Sequence, residues 1–187
     1  MPLDIAFGIF GAMITARLTG LPLNWQLVFV GVLFSLLPDV DFAVYFFSKP
    51  KIDAFSHEHR DILHKPIPYI VVGFCILVFW SPAIAWLFVA MSLWHFLHDS
   101  IPEGGGWGIA WLYSFSKKYY KFFSGADGKF SARHLVASWT YQEQRKAAAQ
   151  FGDPNWARHY LHKEFIFEIL VFAIALAALI VFFRWAI

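Results

Sequence analysis

Residues 66–100 read PIPYIVVGFCILVFWSPAIAWLFVAMSLWHFLHDS, and no charged side chain occurs between Pro66 and Trp94. A single straight helix of that length would rise roughly 43 Å, against a hydrocarbon core of about 30 Å. Pro82, within WSPA (80–83), cannot continue a helical ladder cleanly. The run therefore predicts two membrane spans, 67–80 and 82–100, joined by a tight hairpin. Such a hairpin returns the polar end, WHFLHDS (94–100), to the side from which the first span left.

The rest of the chain supports a membrane reading. Of 187 residues, 59% are hydrophobic, 20% are aromatic and only 15% are charged, whereas a soluble domain is about a quarter charged. The frequent tryptophans suit membrane–water interfaces. ILVFAIALAALIVFFRWAI (169–187) is apolar except for Arg184, which can snorkel to the interface. QLVFVGVLFSLLPDVDFAVYFF (26–47) is a span interrupted by two aspartates. A short span over about 4–18 carries Gly8 and Gly11, which suit close helix packing. The expected architecture is all-α: a single integral membrane domain, 1–187, with about five spans in a helical bundle.

Basic residues orient it. Lys49, Lys51, Arg60 and Lys65 follow the second span, nine Lys or Arg fall within 102–163, and only Arg17 and Arg184 fall on the other side. The positive-inside rule then places the N-terminus in the cytoplasm and the C-terminus outside. The 102–163 segment reads as a cytoplasmic helical insertion. Ser131 caps a helix ending at Gly152, and Asp153 with Pro154 opens a second helix that runs into the last span. EGGGWG (103–108) reads as a turn or flexible connector. The lone cysteine, Cys75, reads as a packed residue in an apolar run. No cleavable leader is evident, and a net charge of +2 gives no argument for nucleic-acid binding.

Three polar clusters break this pattern. LLPDVD supplies Asp39 and Asp41; Pro38 favours a turn there, and buried carboxylates in a span need a proton, a partner or a cation. HEHRDILHKP (57–66) supplies His59, Arg60 and His64, with His57 read as a surface residue. His59 and His64 are five apart, so only a loop-to-helix transition brings both to one point. In WHFLHDS, His95 and Asp99 lie one turn apart on one helix face. Taken singly, each cluster reads equally as a solvated interfacial end. With the hairpin at Pro82 all three reach one depth, at the cytoplasmic end of the membrane. Asp39, Asp41, His59, His64, His95 and Asp99 are suitable ligands for zinc or manganese. Six such ligands suffice for two ions, or for one ion supported by outer carboxylates.

LLPDVD, HRDILH and HFLHDSIPEGGGWGIAW, in that order, resemble the bacterial family of predicted LexA-regulated, inner-membrane metal-dependent hydrolases. The family's pattern is a P-D-x-D turn, an H-R-x-x-x-H-S stretch and an H-x-x-x-D helix followed by a Pro/Gly turn. The resemblance covers about residues 25–115 and departs at Lys65, where the family usually has Ser. It implies a multi-spanning protein of the bacterial inner membrane. The residues implied for its site are Asp39, Asp41, His59, Arg60, His64, His95 and Asp99. The expected function is metal-dependent hydrolysis of an amphiphilic ester or phosphoester at the lipid surface, with Asp41 and Arg60 in catalytic roles and Arg60 facing an oxyanion. The rival expectation is a non-catalytic membrane protein whose cation staples spans or is transported. A third is an interaction module that docks a cytoplasmic partner through the 130–163 helices.

Overall fold

The computed structural model describes residues 1–49, 55–101, 107–125, 127 and 129–185. Most of the connector expected at 103–108 lies outside them. The chain is mostly helical and divides into two compact units. The first comprises 1–38, 69–95 and 161–187; the second comprises 39–68 and 96–160.

The first unit is built on α1 (Pro2–Thr19), α2 (Trp25–Leu36), most of α5 (Pro66–Phe79) and α6 (Pro82–Asp99), and the apolar part of α8 (Trp156–Trp185). Small residues let α1 and α2 touch. A Cβ added at Gly8 would sit 2.6 Å from the Val32 Cα, and one added at Gly11 would meet Met91 Sδ of α6 at 2.5 Å. Both glycines therefore serve the close packing expected of them. Ala6, Ile9, Ala12, Leu27, Leu87, Ala175 and Leu179 form the core. Gly20, left-handed at φ 72°, ends α1, and Asn24 opens α2 by accepting a hydrogen bond from Leu27 N at 2.8 Å. Glu168 is buried on α8 and accepts from Leu3 N at 3.2 Å, placing a carboxylate at the start of α1 where the helix dipole favours it.

α5 buries only Pro66, Tyr69 and Gly73, spaced along one helix face. Ile70, Val71, Val72, Phe74, Leu77 and Val78 are exposed around the rest. That distribution belongs to a helix whose solvent is lipid. It also corrects the reading of Cys75, which is exposed on this apolar face rather than packed. Trp80 and Ser81 make the two-residue connection to α6, as expected for a hairpin broken at Pro82.

Among the described residues, four stretches are long and apolar enough to cross a membrane: Pro2–Thr19, Trp25–Ser48, Ser56–Phe79 and Phe165–Arg184. α6 is not among them. It buries Ala85, Leu87, Phe88, Met91, Ser92, His95 and Phe96. The chain is thus a helical membrane protein, with four candidate spanning helices among the described residues.

In the second unit, the chain tightens to a 3₁₀ turn over Leu37–Asp39 before α3 (Val40–Ser48). Leu37 keeps helical angles despite Pro38, so the expected break is a tightening and not an extended turn. A 3₁₀ turn over Ser56–His59, the short α4 (Arg60–Leu63) and His64 lead into α5.

The largest departure from the sequence reading lies in the insertion. Tyr119–Phe122 (β1) and Val136–Trp139 (β2) pair antiparallel, with Tyr119 opposite Trp139 and Phe122 opposite Val136. Helix α7 spans Tyr141–Phe151 and so begins ten residues after the Ser131 cap expected for it. Thr140 is the cap. Its backbone N–H donates to Glu143 Oε2 at 2.7 Å, and Glu143 N donates back to Thr140 Oγ1 at 3.4 Å. That reciprocal box fixes the start and leaves Val136–Trp139 extended. Gly152 ends α7 as expected, and α8 does run unbroken into the last span, from Trp156 rather than from Pro154.

Candidate metal centre

Asp41 is the hub of the second unit's polar cluster. It lies in the first turn of α3, fully buried. Its Oδ2 accepts from Leu63 N at 2.9 Å and faces His64 Nδ1 at 2.9 Å. Its Oδ1 is 3.8 Å from His59 Nε2 and accepts no hydrogen bond from any described residue. The 3₁₀–helix junction over 56–64 is what brings His59 and His64, five apart, onto one carboxylate.

The hydrogen bonds of the histidines fix their tautomers. His59 Nδ1–H donates to the Ser56 carbonyl at 2.6 Å, so its lone pair is on Nε2, the nitrogen turned to Asp41. The edge of its ring meets Phe42, which holds it upright. His64 is fully buried; with Nδ1 on Asp41, its Nε2 lies 3.1 Å from Asp99 Oδ2 and 3.7 Å from Asp39 Oδ1. Carboxylate–imidazole–ligand chains of this kind are how proteins orient metal-binding histidines. Asp39, His64 and Asp99 each bring one ligand atom within 4.8 Å of the others, as do Asp41, His59 and His64.

These distances allow a test of fit. Zinc bonds of about 2.05 Å in tetrahedral geometry separate neighbouring donor atoms by about 3.3 Å. The two His64 Nε2–carboxylate distances bracket that value, and the donor set of imidazole and carboxylate is one that zinc and manganese accept. The residues fit a divalent cation.

Arg60 is buried and committed to Asp99. Its Nη2 is 3.0 Å from Asp99 Oδ1, and Nη1 donates to the Asp99 carbonyl at 3.3 Å. Pairing with a carboxylate is the role seen. His57 is buried, which corrects its reading as a surface residue. Lys65, at the departure from the family pattern, sits over the Tyr113 ring at 4.3 Å.

His95 belongs to the first unit, one turn before Asp99 on α6. Its Nδ1 donates to the Ser35 carbonyl at 2.8 Å and lies 3.5 Å from Asp4 Oδ1, again leaving the lone pair on Nε2. Asp4 is itself buried and was missed from sequence, although an acid inside an apolar opening stretch was the available signal.

A second layer surrounds the cluster. Glu58 pairs with Lys49 at 3.4 Å and Arg145 at 3.7 Å and accepts from the Tyr141 hydroxyl. That hydrogen bond raises the Tyr141 phenol above its ordinary value. Trp107 Nε1 donates to Asp61 at 3.4 Å. Burial, then the Asp61 charge, pushes the Tyr119 phenol up. β1 is tied to the end of α6, where Phe122 N donates to the Ser100 carbonyl at 2.8 Å.

A helical membrane protein with a buried histidine–aspartate cluster is the class these features define. The chain belongs to the family described as YdjM inner membrane protein, which it matches over residues 4–186. It is 30% identical over 127 residues to the inner membrane protein YbcI of Escherichia coli (strain K12), a match covering 64% of this chain and 66% of that protein. No solved structure matches it.

Proposed function

We propose that the chain is a multi-pass inner-membrane hydrolase that holds a divalent cation, zinc or manganese, on Asp39, His64 and Asp99. The N-terminus lies in the cytoplasm, and the substrate is a membrane-associated phosphoester or ester at the cytoplasmic face. The resemblance to metal-dependent hydrolases points the same way. The observation that carries the reading is the Asp41–His64 pair, with His64 Nε2 directed at two further carboxylates.

A bound divalent cation supplies a water of lowered pKa and polarises a phosphoryl or carbonyl oxygen. The protein's own part is positional. Asp41 takes the Nδ1 hydrogen bond of His64 and keeps Nε2 aimed at Asp39 and Asp99. His59, pinned by Ser56, faces the open oxygen of Asp41 and is placed to move a proton there. Arg60 neutralises Asp99 and keeps its carboxylate turned to His64. Net reaction adds water across the ester bond, releasing an alcohol and the acid.

A second reading, a structural cation that staples the protein without turnover, is favoured by the commitment of Arg60 to Asp99. Metal analysis of detergent-purified wild type against Asp39→Ala, His64→Ala and Asp99→Ala tests the site, with His134→Ala, at an exposed position, as control. Unchanged metal content in all three refutes it. A phosphoester and lipid-ester panel then separates the readings. Turnover that stops with a chelator and returns with cation supports the hydrolase. A lowered thermal midpoint on chelation, with no turnover by metal-loaded protein, supports the staple.

A further inference from the structure

We infer that the tip of the β1–β2 hairpin is a membrane-surface anchor that seats in a layer of anionic phospholipid headgroups. Phe123, Phe130, Leu135 and Val136 gather there. The Phe123 and Phe130 rings stack with their centroids 6.2 Å apart. Phe123 N donates to the Leu135 carbonyl at 3.0 Å and Ser131 N donates to the Phe123 carbonyl at 2.7 Å, which draws the two sides of the tip together. Val136 follows Leu135 and pairs with Phe122. Phe130, Leu135 and Val136 are 66%, 65% and 59% exposed, and Phe123 is 39% exposed. Single exposed apolar residues are ordinary, but a contiguous group of them marks a surface that meets something. The backbone at Phe123 points the same way. Its φ is 53°, a left-handed conformation that glycine takes freely and a bulky aromatic rarely does. Glycine would turn the chain there without strain, so the turn alone does not account for a phenylalanine. Its ring goes to an exposed stack with Phe130 and not to the core.

Charge, length and tethering name the occupant. Over residues 112–139 the exposed basic side chains are Lys117, Lys118, Lys129 and Arg133, and Asp127 is the one acidic residue. Lys118 also lies near Glu143, and Lys121 is buried on the strand face opposite to Phe122, so neither is counted towards the tip. Lys129 and Arg133, which flank Phe130 in sequence, form no ion pair among the described residues. An apolar tip flanked by basic side chains complements acyl chains below anionic headgroup phosphates. Each strand has four residues, against about 9–11 for a strand that crosses a bilayer, so the tip enters the interface without spanning it. The segment that carries the hairpin continues into α8, whose Phe165–Arg184 stretch is a candidate span. That covalent tether gives the tip a high effective concentration at a bilayer, which a second copy of the chain or a soluble partner lacks. Phe122 N donates to the Ser100 carbonyl, next to Asp99, so the anchored hairpin is tied to the unit that holds the histidine–aspartate cluster.

The test uses the full chain in nanodiscs of phosphatidylcholine with and without phosphatidylglycerol. Cys75→Ser removes the native thiol, and a nitrobenzoxadiazole label is placed on Phe130→Cys or, as a water-exposed control on α7, on Gln150→Cys. Leu135→Cys replaces Phe130→Cys if the latter does not fold. In discs containing phosphatidylglycerol, iodide is expected to quench the label at the tip at least fivefold less than the label at the control position. Lipid brominated high on its acyl chains is expected to quench the tip and not the control. Changing Lys129→Ser together with Arg133→Ser is expected to lower that lipid quenching at least twofold, as is leaving out phosphatidylglycerol. Phe123→Gly, which relieves the left-handed strain, is expected to lower it while keeping the thermal midpoint. Iodide access equal to the control overturns the anchor. Protection from iodide without quenching by brominated lipid assigns the tip to a protein contact and also overturns it. Lipid quenching that ignores phosphatidylglycerol and both basic residues overturns the anionic headgroup as occupant.

Discussion

Asp41→Asn is the substitution that separates an orienting carboxylate from a ligand. Asparagine has nearly the same shape and keeps an oxygen for Leu63 N, which donates to Oδ2 at 2.9 Å. What it loses is charge, in the bonds from Leu63 N and from His64 Nδ1. A charge-assisted hydrogen bond is worth about 1 kcal/mol more than a neutral one. Two such bonds weaken the support of His64 by about 2 kcal/mol, which is about 30-fold in metal affinity. That lies within the about 10–100-fold range for removal of a partner that orients a metal-bound histidine. The assay is competition for zinc against a chromophoric chelator, in detergent, with thermal unfolding of the metal-free protein as a check on folding. Affinity within threefold of wild type would show that Asp41 does not orient His64. Loss of all bound metal from a folded protein would show instead that Asp41 is itself a ligand, and would restore the two-ion arrangement.

Gly8→Leu forces a side chain against the α2 backbone at Val32 and is expected to cost about 1–3 kcal/mol, read as a lowered thermal midpoint in detergent; an unchanged midpoint would refute the close contact of α1 and α2. Thr140→Ala removes the α7 cap and is expected to cost about 1 kcal/mol locally, read as faster amide exchange in 141–151. The Thr140 backbone hydrogen bond holds the Glu143 carboxyl below its ordinary 4.5, so this support is present above pH 4.5 and lost as pH falls through the lowered value; α7 exchange that ignores that acid range in wild type would refute the linkage. A topology reporter inserted at Ser81 is expected to read external and one after Glu103 cytoplasmic, which makes α6 a crossing; the same side for both removes it from the count.

What the sequence carried was periodicity and punctuation. Pro82 divides α5 from α6 because a proline breaks the ladder wherever it falls, and Gly8 and Gly11 meet neighbouring helices because only a missing Cβ permits it. The β1–β2 pair was hidden for the opposite reason. Ser131 and Thr140 both offer a hydroxyl cap, and local sequence does not rank them until Glu143 is seen to close the box with Thr140. His57 and Cys75 were each misplaced by assigning burial from residue type. In a membrane span the apolar face is the outward one, so Cys75 is exposed, while a histidine among charged partners can be buried.

The candidate site was legible as a set of residue types but not as a division of labour. Six ligand-type side chains allow two ions or one. The choice turns on which ring nitrogen of each histidine is occupied, and that depends on backbone carbonyls no spacing rule reveals. Ser56 takes His59 Nδ1 and Ser35 takes His95 Nδ1. Asp41 takes His64 Nδ1, so it is engaged on the side of the ring away from Asp39 and Asp99. One imidazole that gives Nδ1 to a carboxylate has a single nitrogen left to share with a cation. That arithmetic favours one ion with Asp41 behind it.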